Sequence, residues 1–261
     1  MDKTLVKGVQ LLEHLVRAGA PCGVSELARQ SGLNPSNVHR TLQTWAHLGF
    51  VAQDAVSGQY HCTLRLFEWG CRVADGFDVR RAAREPLARL ARQTQETIHL
   101  SVLDGAEIVY LEKIDSPQPV RAYSEIGGRA PAHCVATGKA LLAHADAALL
   151  DALPVPLPRP TKHSAASLAA LRRQFAAVRA DGFAVNREEW RLGVSGLGAP
   201  VYDQNGRAIA AAGLTAPTSR LDEARIQALG RALAATANEI TRALGGRAPP
   251  QTATSPRQET A

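Results

Sequence analysis

Five polar side chains, Ser36, Asn37, His39, Arg40 and Gln43, share one side of a helix-length stretch whose other side is apolar. A hydroxyl, two amides, an imidazole and a guanidinium are groups that reach phosphate oxygens and base edges. The stretch that must position them is 24–50, VSELARQSGLNPSNVHRTLQTWAHLGF. It reads as two helices joined by a tight turn. Ser25 is placed to cap the first helix, with Leu27 and Ala28 facing inward, and Gly32 ends it in the left-handed conformation that closes a helix. Asn34 caps the second helix, and Pro35 occupies its first position, where a missing N–H costs nothing. Val38, Leu42, Trp45 and Leu48 recur at three- to four-residue spacing and form the buried face. This is helix-turn-helix grammar, in which the second helix enters the major groove. An ordinary helical hairpin on a globular core is the alternative.

The flanks favour the first reading. A helical stripe of Leu5, Val9, Leu12, Leu15 and Val16 precedes the pair, and apolar runs around a Ser57-Gly58 turn follow it as a β-hairpin. Three helices and a hairpin make a winged helix, whose hairpin tip reaches along the DNA backbone or into the minor groove. The expected DNA-facing set is therefore Ser25, Pro35, Ser36, Asn37, His39, Arg40, Gln43, Ser57 and Gly58. Charge alone would not have found it. The chain of 261 residues carries +6, but residues 1–80 hold 8 Lys plus Arg against 7 Asp plus Glu, so a basic patch is not what marks this region.

Other candidate chemistry is weaker. His133-Cys134 offers a nucleophile beside a base, yet adjacent residues rarely aim at each other. Glu188-Glu189 reads as a solvated face on a turn, and His99 as a core or pocket-wall residue. Trp45 reads as core, Trp69 as linker packing and Trp190 as the rim of a pocket. No metal is expected, because His14, His39, His47 and His61 lack ligand spacing with cysteine or carboxylate. Four cysteines without C-x-x-C spacing imply reduced thiols, with neither zinc nor disulfides. No run of eighteen apolar residues exists, so no membrane span is expected. The first residues, with Glu13 and His14 inside the apolar pattern, read as an amphipathic helix and not an export signal. A cytoplasmic protein without a cofactor is the expectation.

Beyond a short apolar helix at 64–76, which must pack on its own domain or on a second subunit, the pattern changes to α+β. A helix at 79–96 with Leu87, Leu90 and Ala91 inward leads into a hairpin turning at Asp104-Gly105. A strand is expected in PVRAYSEIGGR, then a helix from about Val135 with Gly138 in its body. Gly138 costs helix stability, which points to close backbone approach or a ligand. Helices near 146–152 and 167–180 flank a proline-rich connector. A strand in GFAVNREEW, a hairpin with Asn205-Gly206 at its tip and a last helix capped by Ser219 or Asp222 complete a sheet of five or six mostly antiparallel strands.

Six stretches in order, GVQLLEHLV, SELARQSGLNPSNVHRTLQTWAHLGFV, ETIHLSVLDGAEIVYLEKIDSP, PAHCVATGKALLA, GFAVNREEWRLGVSGLGAPVYDQNGR and LTAPTSRL, closely resemble the IclR family of bacterial transcription regulators. The resemblance implies a winged helix-turn-helix over 3–64, a linker helix over 65–80 and a GAF/PAS-like effector-binding domain over 81–246. Residues 247–261 read as a disordered tail. It also implies a homodimer or homotetramer on palindromic double-stranded promoter DNA. The family's effector pocket maps onto Ala136, Thr137, Asn186, Gly196, Gly213 and Thr215. Asn186 stands where members often have Asp, Gly196 where many have Cys or another small polar residue, and Gly213 and Thr215 where several have serines. These departures imply a roomier, less polar pocket and a bulkier effector, an aromatic carboxylate held by Thr215 and the start of the 136 helix. Two other readings stay open. One is a DNA-anchored interaction protein with an empty C-terminal domain; the other is a small-acid hydrolase fused to a DNA-binding domain, for which no nucleophile–base–orienter set is found.

Overall fold

The computed structural model describes residues 1–122 and 124–249. Most of the expected tail lies outside the described residues. The chain divides into two compact units, Met1–Gly76 and Phe77–Ala261.

The first unit holds α1 (Lys3–Ala18), α2 (Val24–Ser31), α3 (Pro35–His47), β1 (Val51–Gln53), β2 (Tyr60–Cys62) and α4 (Leu64–Asp75). The Asp2 carboxylate caps α1 by accepting from the Thr4 and Leu5 N–H groups. Its core is Leu11, Leu15, Leu27, Ala28, Val38, Leu42, Val51 and Tyr60. Three local expectations are corrected. α2 starts one residue before Ser25, with Gly23 at the cap position, so Ser25 sits in the first turn and caps nothing. Asn34 holds the cap position of α3, but only its backbone carbonyl is used, by the Asn37 and Val38 N–H groups. Leu48 is past the end of α3 and exposed, and Trp45 is only half-buried, its indole N–H donating to the Gly8 carbonyl. On α1 the buried line is Gly8, Leu11 and Leu15, leaving Leu5, Val9 and Val16 exposed. The helix is apolar around too much of its circumference for period alone to choose the face.

In α4, Arg65 lies over the Phe50 ring at 5.0 Å and donates to the Leu48 carbonyl. Trp69 meets Phe50 edge-on at 4.6 Å between centroids. The helix is thus anchored on its own unit by one side, while Leu64, Phe67 and Val73 remain exposed.

The second unit is a six-stranded antiparallel sheet. It contains α5 (Asp78–Thr94), β3 (Thr97–Asp104), β4 (Glu107–Ile114), β5 (Arg129–Pro131), α6 (Ala136–Leu142), α7 (Ala147–Asp151), α8 (Leu168–Asp181), β6 (Ala184–Arg187), β7 (Val194–Tyr202), β8 (Ala208–Pro217) and α9 (Glu223–Ala243). The strand order is β5-β4-β3-β8-β7-β6. Strand alternation sorts side chains to two faces. Ile98, Leu100, Leu197, Ala199, Ala212 and Leu214 pack with Leu87, Leu90, Leu233 and Ile240 of α5 and α9. The alternate residues of the same strands include His99, Gly196, Gly198, Gly213 and Thr215, and α6 lies on that face. A Cβ on Gly198 would stand 2.4 Å from the Ala136 carbonyl carbon, so glycine there lets the helix start rest directly on the sheet. Gly138 is needed for backbone approach: a Cβ would be 2.1 Å from the Ala132 carbonyl oxygen.

Two more expectations shift. The β3–β4 connection is Gly105-Ala106, one residue later than Asp104-Gly105, with Asp104 opposite Glu107. The strand expected in 119–128 is absent among the described residues there. Gly127, at φ +79°, donates to the Tyr110 carbonyl, and pairing resumes only as β5. Asp222 caps α9 by accepting from the Arg225 N–H.

Candidate functional sites

In the first unit, Pro35, Ser36, Asn37, His39, Arg40 and Gln43 are all exposed on α3, opposite the buried Val38 and Leu42. Residues 36, 39, 40 and 43 are one helical turn apart and form a continuous polar strip. Asn37 Oδ1 accepts from Arg40 Nη2 at 3.2 Å, aligning the guanidinium along the strip. In the hairpin, Asp54 Oδ1 accepts from the Ser57 N–H and hydroxyl, both at 2.7 Å, and from the Val56 N–H. Gly58, at φ +69°, completes the turn. The Ser57 hydroxyl is therefore spent within the loop. Ser25 is exposed on α2.

In the second unit a cavity of about 280 Å³ opens between the sheet and α6. Of the six expected pocket residues, Ala136, Asn186, Gly196 and Thr215 line it; Thr137 and Gly213 do not. Gly213 stands directly across the β3–β8 pairing from His99. A Cβ there would be 2.2 Å from His99 Nε2 and 2.6 Å from Thr137 Cγ2. This glycine adds no ligand volume; it makes room for an imidazole. Gly196 is also constrained, with Leu214 O 2.9 Å from a Cβ position. The expectation that both glycines enlarge the pocket is corrected for Gly213, which is not on the lining, while Gly196 is. The Thr137 amide nitrogen lies against Gly198, so the start of α6 rests on the sheet with Ala136 at the cavity wall. Asn186 is engaged as well, its Oδ1 accepting from the Glu189 N–H at 2.8 Å.

His99, read from the sequence as a core or pocket-wall residue, and Trp190, read as a pocket rim, both line the cavity; Tyr110, Arg129 and Arg191 are among the lining residues that sequence reasoning did not assign. Burial in the wall pushes the His99 imidazole down to about 4, so it is neutral at physiological pH. Its Nδ1 is buried without a partner among the described residues, and its ring meets Tyr110 edge-on at 5.0 Å. Burial raises the Tyr110 phenol, with Arg191 partly opposing it. Trp190 lies on the wall, as its sequence position suggested. Two arginines reach the wall. Arg129 is paired with Asp104 and Glu107, whereas Arg191 makes no ion pair with any described residue. A neutral imidazole, two aromatic rings, the Thr215 hydroxyl and the Arg129 and Arg191 guanidinium groups, with the Glu125 carboxylate also on the lining, suit a small organic anion with an apolar or aromatic body.

His133 and Cys134 do not form a nucleophile–base pair. His133 Nε2 and Cys134 Sγ both address the Pro158 carbonyl, at 2.8 and 4.0 Å, and not each other. Burial pushes the Cys134 thiol up to about 11, so it is unreactive at neutral pH. Glu189 is not the solvated residue its sequence context suggested: it is buried and paired with Lys139. Among the described residues no helix is long and apolar enough to cross a membrane.

An exposed helix-turn-helix reading face on one unit, and an enclosed small-molecule cavity in a separate α+β unit, define a DNA-binding regulator of the one-component type. The family described as "Bacterial transcriptional regulator IclR C-terminal" matches residues 71–242, and the IclR helix-turn-helix domain matches residues 4–55. The HTH-type transcriptional regulator KdgR of Escherichia coli (strain K12) is 38% identical over 225 residues, covering 85% of this chain and 86% of KdgR. The crystal structure of the Thermotoga maritima IclR superposes with a TM-score of 0.80 at 28% identity, covering 94% of this chain and all of that one. An IclR homolog from Microbacterium hydrocarbonoxydans, crystallised with 4-hydroxybenzoate, gives a TM-score of 0.81 at 25% identity over 93% of this chain and 99% of that one. The chain belongs to the IclR family of transcriptional regulators.

Proposed function

We propose that the chain is a cytoplasmic, homo-oligomeric transcription regulator that binds a palindromic double-stranded promoter site through α3 and responds to a small, aromatic organic acid. The observation that carries the effector reading is the Arg191 guanidinium, free of any ion pair with a described residue, at a cavity walled by Tyr110, Trp190 and the neutral His99. Arg191 and the Thr215 hydroxyl hold the carboxylate; the rings hold the body. A structural relative crystallised with 4-hydroxybenzoate supports this class of ligand. On the DNA side, Ser36, Asn37, His39, Arg40 and Gln43 face the groove, and the Ser57-Gly58 tip and Ser25 contact the backbone. The exposed apolar residues of α1 and α4 pair two subunits, setting two reading helices one or more turns apart on the palindrome. The effector changes DNA affinity by its differential affinity for the two arrangements.

The test is thermal unfolding of the full chain against keto acids, hydroxy acids and aromatic carboxylates. A ligand at a hundred times its Kd adds about 2.7 kcal/mol, roughly a 5–10 °C rise for a unit of this size. A response to pyruvate or glyoxylate with none to benzoate-like acids removes the aromatic reading. A flat panel with intact DNA binding removes the effector reading and favours an interaction protein.

A further inference from the structure

A buried ion pair lies just behind the cavity wall. Lys139, on the inner side of α6, donates from Nζ to Glu189 Oε1 at 2.5 Å and to Gln174 Oε1 of α8 at 2.9 Å. The two charged side chains are 2% and 7% exposed. Glu189 belongs to the turn after β6; Asn186, near the end of β6, and Trp190 and Arg191 of the turn all line the wall.

We propose that the Lys139–Glu189 pair positions segment 186–191 as a wall of the effector cavity, making Lys139 and Glu189 positioning residues for ligand recognition. This rests on the reading of that cavity as the effector site. The segment is bent through Glu188, whose φ of +59° an L-residue adopts only at a cost. Such a bend persists when its surroundings over-determine it, and here they do. The Glu188 carboxylate accepts from the Gly193 N–H at 3.0 Å, and its carbonyl accepts from Thr161 Oγ1 at 2.7 Å. The Glu189 N–H donates to Asn186 Oδ1, and its carbonyl accepts from Ser164 Oγ at 2.7 Å. All of these bonds are made within the turn or to the loop beside it. Among the described residues the ion pair is the hydrogen-bonded tie between the turn and α6, whose first residue, Ala136, lines the same cavity.

Net stability is a poor reason for such a pair. Two charges buried this deeply lose hydration that their attraction barely repays, and an apolar pair of similar volume is often as stable or more so. What the apolar pair lacks is a short, charge-assisted hydrogen bond that selects one relative placement of helix and turn. Placement matters here because Trp190 and Arg191 stand one and two residues from the anchored carboxylate.

The experiment uses the full chain labelled with 5-fluorotryptophan. Its three tryptophans, Trp45, Trp69 and Trp190, give three fluorine resonances, with Trp190 assigned through Trp190→Phe. The Lys139→Met, Glu189→Met double variant keeps the volume and removes both charges, avoiding the lone buried carboxylate that Lys139→Met would leave. The expected result is a folded protein whose Tm is within a few degrees of the parent, with unchanged Trp45 and Trp69 lines. The Trp190 line, narrow and single in the parent, splits or broadens at least two-fold. A neighbouring substitution alone would shift that line but leave it narrow. A single narrow Trp190 line in the folded double variant overturns the proposal, because the pair is then only filling space. Failure of the double variant to fold also overturns it, since the pair then holds the whole unit and not the turn. The spectra are read without ligand, so a flat acid panel beside a broadened Trp190 line would remove the effector reading and leave the positioning role standing.

Discussion

Replacing Gly213 by alanine puts a Cβ where the His99 imidazole already is. The new carbon would stand 2.2 Å from Nε2 and 2.7 Å from Cδ2 of that ring, and 2.6 Å from Thr137 Cγ2, where ordinary contact begins at 3.4 Å. The ring has nowhere cheap to go: it is 4% exposed and packed edge-on against Tyr110. Overpacking of this kind costs about 1–3 kcal/mol, and disturbing the edge-to-face contact adds roughly 0.5–1.5 kcal/mol. An expected loss of about 2–3 kcal/mol corresponds to a Tm drop of roughly 4–12 °C for a unit of this size. The cause can be isolated with a double-mutant cycle. On a His99→Ala background the ring is gone and the Thr137 Cγ2 contact remains, so Gly213→Ala should cost about 1–2 kcal/mol less than in the parent. Urea denaturation of the four proteins gives the coupling. If the two substitutions add within about 0.5 kcal/mol, the imidazole is not what requires glycine at 213, and the account of Gly213 as a space-maker for His99 is refuted.

Arg40→Ala should weaken operator binding by roughly ten-fold or more with an unchanged Tm; an unaltered gel-shift titration removes Arg40 from the interface. Thr215→Val should weaken the response to any acid that stabilises the parent while leaving ligand-free DNA affinity intact, and an unchanged effector titration excludes that role. Folded His99 takes up its proton only near pH 4, whereas an unfolded histidine does so near 6.5. The unfolded chain therefore binds more protons between those values, and the stability due to neutral His99 falls as pH drops through that window, by up to about 1.4 kcal/mol per pH unit. His99→Gln should flatten this part of the profile; parallel urea midpoints from pH 6.5 to 4.5 in parent and variant would refute it. Cys134 should resist iodoacetamide in the native protein at pH 8 and react in urea, as peptide mass spectrometry would show; native alkylation contradicts its raised pKa.

What was legible in the sequence was local or periodic. Pro35, Gly32 and the Val38–Leu42 spacing specify α3 because helix ends and faces are decided within a few residues. The β7–β8 hairpin was readable for the same reason, since alternation and Asn205-Gly206 act at short range. α1 shows the limit of period: Leu5 and Val9 fit the apolar stripe as well as Leu11 does, and only the packing of Trp45 over Gly8 chooses between them. The cavity lies further still from what a linear reading reaches. His99, Tyr110 and Arg191 meet because β4, β3, β8 and β7 are neighbours in that order, and pairing order is not written in any one strand. Gly213 makes the point most sharply. A glycine in place of a serine reads as added space, but the register that sets it opposite His99 fills that space with an imidazole. The Lys139–Glu189 pair, fifty residues apart in the chain, is of the same kind. Adjacent glutamates on a turn read as solvated because most are, and the burial of the second follows only once α6 is laid against the turn that carries it.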